Sequence, residues 1–256
     1  MKKDNESKIL IFDIETSPNL GYWWSHPWET HIIENKDEWH ILSFSAKWLG
    51  EKVFSKGLCD YPLYKKDKES DKALVEDIWK LFDEADIVVA HNGADFDIKK
   101  SNSRFSFHKM KPPAPFKTVD TKIVAKKNFA FNSNSLNDLG KYLDLGVKVE
   151  TGGFKLWLDC MAGKLEAWKK MKQYNANDVI LLEKIYLRLL PWMNTHPNLG
   201  MYTNKLVCPK CGSGNMQSRG FSINATTKYK RAQCQDCGGW CKVGKNLQIL
   251  KPSTNL

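Results

Sequence analysis

The sequence predicts an α/β domain, with a mixed sheet flanked by helices, followed by a small cysteine-rich module. Strand patterns come first and then alternate with helical patterns, an order typical of such a sheet. The two C-x2-C pairs of the chain both occur near its C-terminal end. With 256 residues and 42% hydrophobic content, the chain can form a substantial core. We expect a first domain over 1–192, a linker over 193–206 and a small domain over 207–256.

The first strand is predicted at Lys8–Glu15, which reads KILIFDIE. Its apolar residues do not alternate with polar ones, which favours a strand covered on both faces. Asp13 and Glu15 are two residues apart, so both side chains point to the same side of a strand. Two carboxylates at the edge of a core repel each other and lose hydration, which a divalent cation would offset. Alternatively, the strand ends at Asp13 and both acids are solvated.

The following elements are read from periodicity and turn residues. Two further strands, His40–Ala46 and Lys52–Leu58, are predicted around a turn at Gly50. An amphipathic helix follows at Ser70–Glu84, and then a buried strand at Ile87–Ala90. This strand runs into HNGADFDIKK, where a helix begins after Gly93. Two helices, at Thr118–Lys127 and Ser135–Leu143, and a glycine-containing loop over 146–156 complete this region.

The longest predicted helix runs from Lys164 to Leu190 and is ended by Pro191. Asp178 occupies a position on its apolar stripe where a leucine would be expected, and Tyr174 lies one turn earlier on the same face. The stripe comprises Met171, Tyr174, Asp178, Leu182, Ile185 and Leu189. A buried carboxylate is costly unless it is paired or bound to a metal. Asp178 therefore indicates a metal site, a Lys or Arg partner from elsewhere, or a rotated stripe.

The segment TSPNLGYWWSHPWE, after the first strand, contains the large aromatic residues Tyr22, Trp23, Trp24 and Trp28. These rings could stack on nucleic-acid bases, because such stacking tolerates any base sequence. They could equally belong to an insertion that packs its rings on the domain. We favour packing.

The net charge of +10 favours a polyanionic partner, nucleic acid before membrane. Residues 201–256 carry nine Lys/Arg and one acid, a net charge of +8, so most of the excess belongs to the C-terminal fifth. The N-terminal MKKDNESK precedes no signal-like apolar segment, and no apolar run reaches the length of a membrane span. These features predict a soluble, cytoplasmic protein.

Two cysteine pairs, CPKC and CQDC, are separated by 22 residues. Four thiolates can complete a closed tetrahedral zinc site, formed by Cys208, Cys211, Cys234 and Cys237. Disulfides or free thiols are the alternatives, and a closed site has no place for Cys241.

Between and beside these pairs, basic and aromatic residues are interleaved in a predicted hairpin, a composition that suits a nucleic-acid strand. They are Arg219, Phe221, Lys228, Tyr229, Lys230, Arg231 and Trp240. A solvated charged hairpin and a protein-docking module are the alternatives.

Three acidic motifs, FDIET, HN-x3-FD and Y-x3-D, occur in this order. Together they resemble the three exonuclease motifs of the DEDD (DnaQ-like) 3′–5′ exonuclease superfamily over residues 8–190. The tyrosine of the third motif is similar to the DEDDy branch, because the His-type branch needs a histidine where this chain has Gln173. The whole chain also resembles phage-borne exonucleases that carry a zinc ribbon after the nuclease domain. If it is phage-encoded, we expect it in the host cytoplasm.

The resemblance implies a ribonuclease-H-like fold and two-metal catalysis with Mg²⁺ or Mn²⁺, besides one structural Zn²⁺. Asp13, Glu15 and Asp178 match the acids that hold one cation, and Asp97 matches the acid that serves the second, with Asp13 shared. Two cations about 3.5–4 Å apart can activate water and stabilise the leaving oxygen of a phosphodiester. Tyr174 would orient or help activate the attacking water. Asn92 would shape the second motif and contact nucleic acid, while Asp95 has no assigned role.

The leading hypothesis is a 3′–5′ exonuclease that releases nucleoside 5′-monophosphates from a single strand or from the 3′ end of a duplex, with DNA favoured over RNA. A separate DNA polymerase or replication protein is a candidate partner. The alternative from another class is a catalytically silent nucleic-acid-binding or replisome-tethering module on the same fold. A zinc protein of the transcription-factor type would leave Asp178 unexplained.

Overall fold

The computed structural model describes residues 7–24 and 32–247. They form two compact units, one spanning Lys8–Ile185 and the other extending from Tyr186 onward. The strands are β1 (Ile9–Thr16), β2 (Leu20–Tyr22), β3 (Glu34–Asp37), β4 (Ile41–Trp48), β5 (Phe54–Gly57), β6 (Ile87–Ala90), β7 (Lys117–Asp120), β8 (Met216–Ile223), β9 (Lys228–Cys234) and β10 (Trp240–Val243). The α-helices are α1 (Lys72–Glu84), α2 (Asp97–Phe107), α3 (Thr121–Asn128), α4 (Leu136–Tyr142), α5 (Lys155–Met161) and α6 (Leu165–Leu189).

A five-stranded mixed sheet, in the order β5-β4-β1-β6-β7, forms the centre of the first unit. The strand β1 pairs antiparallel with β4 on one side and parallel with β6 on the other. Its residues Ile9–Phe12 are at most 4% exposed, which confirms the prediction of a strand covered on both faces. The predicted fold class, a mixed sheet flanked by helices, is likewise confirmed.

The core of this unit joins the sheet to its helices through large apolar side chains. Phe12 of β1 contacts Phe82 of α1 edge-to-face, with ring centroids 4.8 Å apart, a geometry that aromatic pairs favour. Trp168 and Met171, from the first half of α6, are buried in the same cluster. The sheet and α6 therefore share one core, which fixes the helix against the central strand.

Two short elements differ from the sequence predictions. The segment predicted as a helix from Thr118 begins as the strand β7, which pairs parallel with β6, and only then continues as α3. The predicted helix start was wrong because Thr and Val of KTVD favour a strand, and Asp120 caps the helix that follows. The predicted loop over 146–156 gives way to α5, which begins at Lys155.

The aromatic insertion after β1 contains a two-stranded hairpin of β2 and β3. Tyr22 and Trp23 are 57% and 59% exposed, and Trp24 is 91% exposed. The prediction that these rings pack on the domain is therefore wrong for all three. Trp28 lies outside the described residues.

The second unit contains an antiparallel three-stranded sheet, in the order β10-β9-β8. The segment before it is not extended, because it forms short 3₁₀ helices at Leu190–Trp192 and Leu199–Tyr202. Within the described parts of the chain, no helix combines the length and the apolar character needed to cross a membrane.

Candidate functional site

The carboxyl end of β1 carries two of the acids predicted to bind a metal. Asp13 and Glu15 lie opposite Ser45 and Ser43 of β4 and share one face of the sheet. The register of the two strands shifts directly after Glu15, and β-bulges of this kind commonly occur beside active sites. The strand thus presents both carboxylates where its regular pairing is interrupted.

The helix α6 brings a third carboxylate to the same place. Asp178 is only 1% exposed, between fully buried apolar residues of the stripe such as Met171 and Leu182. One oxygen from each of Asp13, Glu15 and Asp178 lies within 4.8 Å of the other two. The strand β1 and the helix α6 therefore bring their carboxylates together in a single cluster of three.

Lys148, from the loop before α5, provides a positive charge at this cluster. Its Nζ lies 2.6 Å from Asp178 Oδ2 and donates a hydrogen bond of 3.0 Å to the Tyr174 hydroxyl oxygen. Sequence reasoning had left open a Lys or Arg partner for Asp178, and the structure contains one. It did not name Lys148, because a lysine in a glycine-containing loop carries no periodic signal.

Asp97, the fourth predicted acid, lies beside this cluster rather than within it. It begins α2 and is 2% exposed. Its Oδ1 accepts a 3.0 Å hydrogen bond from the backbone N–H of Ile14, which lies between Asp13 and Glu15. Asp97 is therefore fixed to the strand that carries the first two acids. Asp95, by contrast, is mostly exposed and pairs with Lys99 at 2.6 Å.

The turn before α2 is held by a buried acid that sequence reasoning did not select. Asp120 accepts hydrogen bonds from the backbone N–H groups of Asn92 and Ala94 while it caps α3. Asn92 adopts a left-handed conformation with φ +66°, which asparagine tolerates better than most residues. Its side-chain oxygen accepts a 3.1 Å hydrogen bond from Lys122. This geometry suits the predicted role of Asn92 in shaping the turn.

Two more polar residues contact the acids. Asn175, which follows Tyr174 and is fully buried, donates a hydrogen bond to the Asp13 carboxylate. Trp157 of α5 donates one to Glu15. Asn175 could have been recognised from the sequence as a polar residue one turn after Met171 on the buried face of α6. Trp157 could not, because its contact with Glu15 depends on tertiary packing.

Burial makes these carboxyl groups reluctant to ionise. The pKa of Glu15 is raised to about 8 and that of Asp97 to about 7, and burial is the largest cause of both shifts. Burial, followed by the charges of Asp97 and Glu15, also raises the pKa of Asp13 well above its usual range. The pKa of Asp178 is raised by burial although Lys148 opposes the shift. The surroundings therefore do not stabilise full ionisation of all four carboxyl groups, so a bound cation would favour their ionised forms.

Lys148 and Tyr174 keep their protons in this environment. Burial alone would lower the pKa of Lys148, but the charge of Asp178 and hydrogen bonds to Asp178 and Tyr174 outweigh it and raise this pKa. Burial is also the main cause that raises the pKa of Tyr174 to about 12. At neutral pH the pair is therefore an ammonium group that donates to a protonated phenol.

The donor set fits a hard divalent cation. Carboxylate oxygens are the ligands that Mg²⁺ and Mn²⁺ prefer. Asp178 Oδ1 is buried and makes no hydrogen bond with any group of the described chain, so it remains free to accept a ligand. The one ammonium group of Lys148 cannot neutralise three clustered carboxylates together with Asp97. A cation at Asp13, Glu15 and Asp178 would supply the missing positive charge.

The four cysteines predicted to bind zinc form a second cluster. Their sulfur atoms all lie within 4.8 Å of one another, with Cys208–Cys237 and Cys211–Cys234 at 3.7 and 3.6 Å. Four thiolates on one tetrahedral Zn²⁺ lie about 3.8 Å apart, given Zn–S distances of about 2.3 Å. None of the described cysteines is in a disulfide, and Cys241 is not part of the cluster. The cluster therefore fits a zinc ion.

Both cysteine pairs have the same local structure. In each, the glycine after the second cysteine donates its N–H to the carbonyl oxygen of the first. These glycines, Gly212 and Gly238, have φ values of +75° and +77°, a conformation that side chains rarely adopt. The repeated turn explains why two distant segments present their thiols in the same way.

The strand register divides the predicted nucleic-acid residues of the second unit between the two faces of its sheet. One face, which we call the basic aromatic face, pairs each ring with a cation: Arg231 lies 4.6 Å from the Trp240 ring centroid, and Lys242 lies 5.1 Å from that of Tyr229. Its members are Arg219, Tyr229, Arg231, Trp240 and Lys242, of which Arg219 is placed by its hydrogen bond to Gln233 and the others by the register. The opposite face carries Phe221, Lys228 and Lys230.

The comparisons with other proteins agree with this architecture. Residues 30–190 match the family model of the RNase H superfamily, and the chain belongs to that superfamily. The match includes Asp97, Tyr174 and Asp178 but starts after Asp13 and Glu15.

Among solved structures, the chain is similar in fold to the family B DNA polymerase from the hyperthermophilic archaeon Pyrobaculum calidifontis, with a TM-score of 0.52 and 16% sequence identity. The similarity covers 73% of this chain and only 25% of the polymerase chain. No curated protein matches the sequence significantly.

Proposed function

We propose that this protein is a metal-dependent 3′–5′ exonuclease that hydrolyses nucleic acid, DNA in preference to RNA, to nucleoside 5′-monophosphates. The observation that carries the proposal is the cluster of Asp13, Glu15 and Asp178, with one oxygen from each within 4.8 Å of the others and Asp178 Oδ1 without a hydrogen-bond partner among the described residues. Membership of the RNase H superfamily supports nuclease activity in general. The 3′–5′ direction rests on the resemblance of the three motifs, in their order and with the tyrosine of the third, to those of the DEDDy exonucleases.

In this proposal the carboxylates hold the cations that the chemistry requires. Asp13, Glu15 and Asp178 would hold one, and Asp97, with Asp13, the second. When bound, such cations lower the pKa of water and stabilise the negative charge on the departing 3′-oxygen. Asn175 and Trp157 orient the carboxylates of Asp13 and Glu15 through their hydrogen bonds. Orientation of this kind by outer residues keeps ligand geometry fixed.

Tyr174 positions the attacking water instead of deprotonating it. Burial, followed by the charge of Asp178, raises the pKa of its phenol to about 12 in the protein without a cation, which favours positioning of the water over its deprotonation. Lys148 donates to the phenol oxygen, and the phenol's own proton is directed toward Asp178. When a cation occupies that carboxylate, the phenol would donate to water or to a phosphate oxygen instead. The Lys148 ammonium also places positive charge where the phosphodiester gains negative charge during hydrolysis.

The second candidate is a nucleic-acid-binding module without catalysis. The Lys148–Asp178 ion pair of 2.6 Å favours it, because the ammonium group occupies one oxygen of a proposed metal ligand. We prefer the enzyme, because one ammonium leaves the remaining carboxylates uncompensated.

The test is degradation of 3′-labelled and 5′-labelled single-stranded DNA and RNA, each with Mg²⁺ and with Mn²⁺. The enzyme releases labelled mononucleotide at once from the 3′-labelled strand and shortens the 5′-labelled strand stepwise. Binding of all four substrates without cleavage under any of these conditions would favour the silent module.

A further inference from the structure

Three aromatic side chains form a continuous group between α3 and α4, which we call the aromatic track: Phe129, Phe131 and Tyr142. The rings of Phe129 and Phe131 stack with centroids 4.9 Å apart, and Tyr142 contacts Phe131 edge-to-face at 5.1 Å. Tyr142 is 73% exposed, so one end of the group presents an aromatic surface to solvent.

Exposed lysines flank the aromatic track on both helices. Lys126 and Lys127 lie in the last turn of α3, and Lys141 precedes Tyr142 in α4. Helix α3 contains no acidic residue. The acids nearby are Asp138, which is hydrogen-bonded to Ser135, and the exposed Asp144. Positive charge therefore prevails around the rings.

A cavity beside the candidate active site begins next to the aromatic track, at Lys141, the residue before Tyr142. The cavity, of about 580 Å³, is lined by Lys141 and Asn137 of α4, by Lys148 and Tyr174, and by the acidic Glu150. Asn137 accepts a 3.1 Å hydrogen bond from the backbone N–H of Lys148. The helix that carries Tyr142 is thus joined to the loop that carries Lys148.

We propose that the aromatic track binds the single strand whose 3′ end lies at the carboxylates. Bases stack on Tyr142, the lysines contact the phosphates, and the cavity connects this segment to Tyr174. Stacking requires a base whose face is unpaired, so this surface selects a single strand over a duplex. The alternation of exposed ring and lysine suits nucleic acid better than an apolar protein segment. The inference rests on the proposed function, because it names the form of nucleic acid that enters that site.

The experiment compares the wild type with Tyr142→Ala, Tyr142→Trp and, as a matched control, Phe107→Ala, an aromatic residue 67% exposed at the end of α2. Affinity is measured by fluorescence anisotropy, without Mg²⁺ or Mn²⁺, for labelled oligothymidylate of roughly 16 nucleotides and for a duplex. Tyr142→Ala should bind the single strand roughly five- to 150-fold more weakly, the range for the loss of one base–aromatic stack. Tyr142→Trp should bind as the wild type does, and Phe107→Ala should be unchanged.

Cleavage separates this inference from the proposed function. With Mg²⁺, Tyr142→Ala should raise KM for the long oligonucleotide and leave kcat and the hydrolysis of a dinucleotide unchanged. Equal affinity of wild type and Tyr142→Ala for the single strand would overturn the aromatic track, even if both proteins cleave. A weaker affinity of Tyr142→Ala in a protein that cleaves nothing would support the track and overturn the exonuclease.

Discussion

Within the described part of the chain, one ammonium group faces the carboxylates of the candidate active site. Lys148 lies 2.6 Å from Asp178, whereas Asp13 and Glu15 form no ion pair with any described residue and accept hydrogen bonds from Asn175 and Trp157. In the protein without divalent cations, this lysine is the main compensating charge. It therefore competes with a metal for Asp178 and also stabilises the empty cluster.

Lys148→Met should consequently change metal binding and turnover in opposite directions. Mn²⁺ should bind more tightly, because no ammonium competes for Asp178, whereas kcat should fall roughly 10²–10³-fold, as when one stabilising donor is lost. Calorimetric titration with Mn²⁺ and single-turnover hydrolysis measure the two effects. Lys170→Met, which removes an exposed lysine of α6 near the same loop, is the control. Unchanged Mn²⁺ affinity together with unchanged turnover would remove Lys148 from the site.

Tyr174→Phe removes the phenol hydroxyl and keeps the ring, which packs beside Trp157 with centroids 6.1 Å apart. We expect turnover to fall by about 10², the lower end of the 10²–10⁴ range for such groups, because Tyr174 orients water and does not ionise. Mn²⁺ affinity should hardly change, since the ring is not a ligand. Full activity of this variant would exclude the hydroxyl from the mechanism.

Residues whose positions depend on local periodicity could be predicted from the sequence. Asp13 and Glu15 share a face because strands alternate, and Asp178 faces the core because helices repeat about every four residues. The structure brings these three together as expected. Lys148, Trp157 and Asp120 act through contacts between distant segments, which no single-segment pattern reveals.

The turn before α2 is an element whose stability should depend on pH. His91, in this turn, contacts two other segments of the chain. Its Nδ1 lies 2.8 Å from Thr121 Oγ1 at the start of α3, and its Nε2 lies 3.0 Å from the carbonyl oxygen of Asn134 in the loop before α4. Burial is the main cause that lowers the pKa of His91 to about 4, from an ordinary value of 6.5. The folded protein therefore keeps His91 neutral in a range where the unfolded chain takes up a proton.

This difference predicts that His91 contributes to acid sensitivity. As the pH falls from 6.5 toward 4, the unfolded state binds the proton first, so the free energy of unfolding decreases, by at most about 3 kcal/mol from this group. Urea unfolding of wild type and His91→Gln across this range measures the effect. As the pH falls, the free energy of unfolding should decrease more for the wild type than for His91→Gln. Parallel pH profiles would show that His91 titrates normally.

The boundaries of an element could be predicted where its hydrophobic pattern is long, and the predictions were wrong where the element is short. Helix α6 runs over Leu165–Leu189, close to the predicted range, because its stripe covers many turns and Pro191 limits it. Strand β7 and helix α5 have four and seven residues, and their conformations are decided by the sheet edge and by packing against α6. Tertiary contacts outweigh propensity in segments of this length.

At the scale of the whole molecule, the positive charge is concentrated in the second unit, whose sheet has two chemically different faces. We propose that the basic aromatic face holds the substrate strand. Replacing Arg219, Arg231 and Lys242 by Gln should flatten the dependence of log affinity on log salt by about two, since each phosphate contact on a single strand contributes about 0.7. Between 50 and 200 mM salt, the wild type should lose roughly fifteenfold more affinity than the variant.

The opposite face supplies the control for that prediction. Lys228→Gln with Lys230→Gln removes two charges from the other side of the same sheet and should leave the salt dependence nearly unchanged. Equal salt slopes for the wild type and the triple variant would indicate that this face contacts a protein. A larger effect of the control pair would place the nucleic acid on the opposite face.

The central claim is that Asp13, Glu15 and Asp178 hold a cation that makes hydrolysis possible. The most direct test is the rate of mononucleotide release from a 3′-labelled single strand, as a function of Mn²⁺, for wild type, Asp178→Asn and Asp95→Asn. We expect Asp95→Asn to match the wild type, because Asp95 is exposed and pairs with Lys99. Asp178→Asn should be slower by about 10³-fold or more, since metal assistance contributes several kcal/mol. It should remain folded, although the Lys148 ammonium loses its ion-pair partner. Wild-type activity in Asp178→Asn, or equal losses in both variants, would contradict the claim.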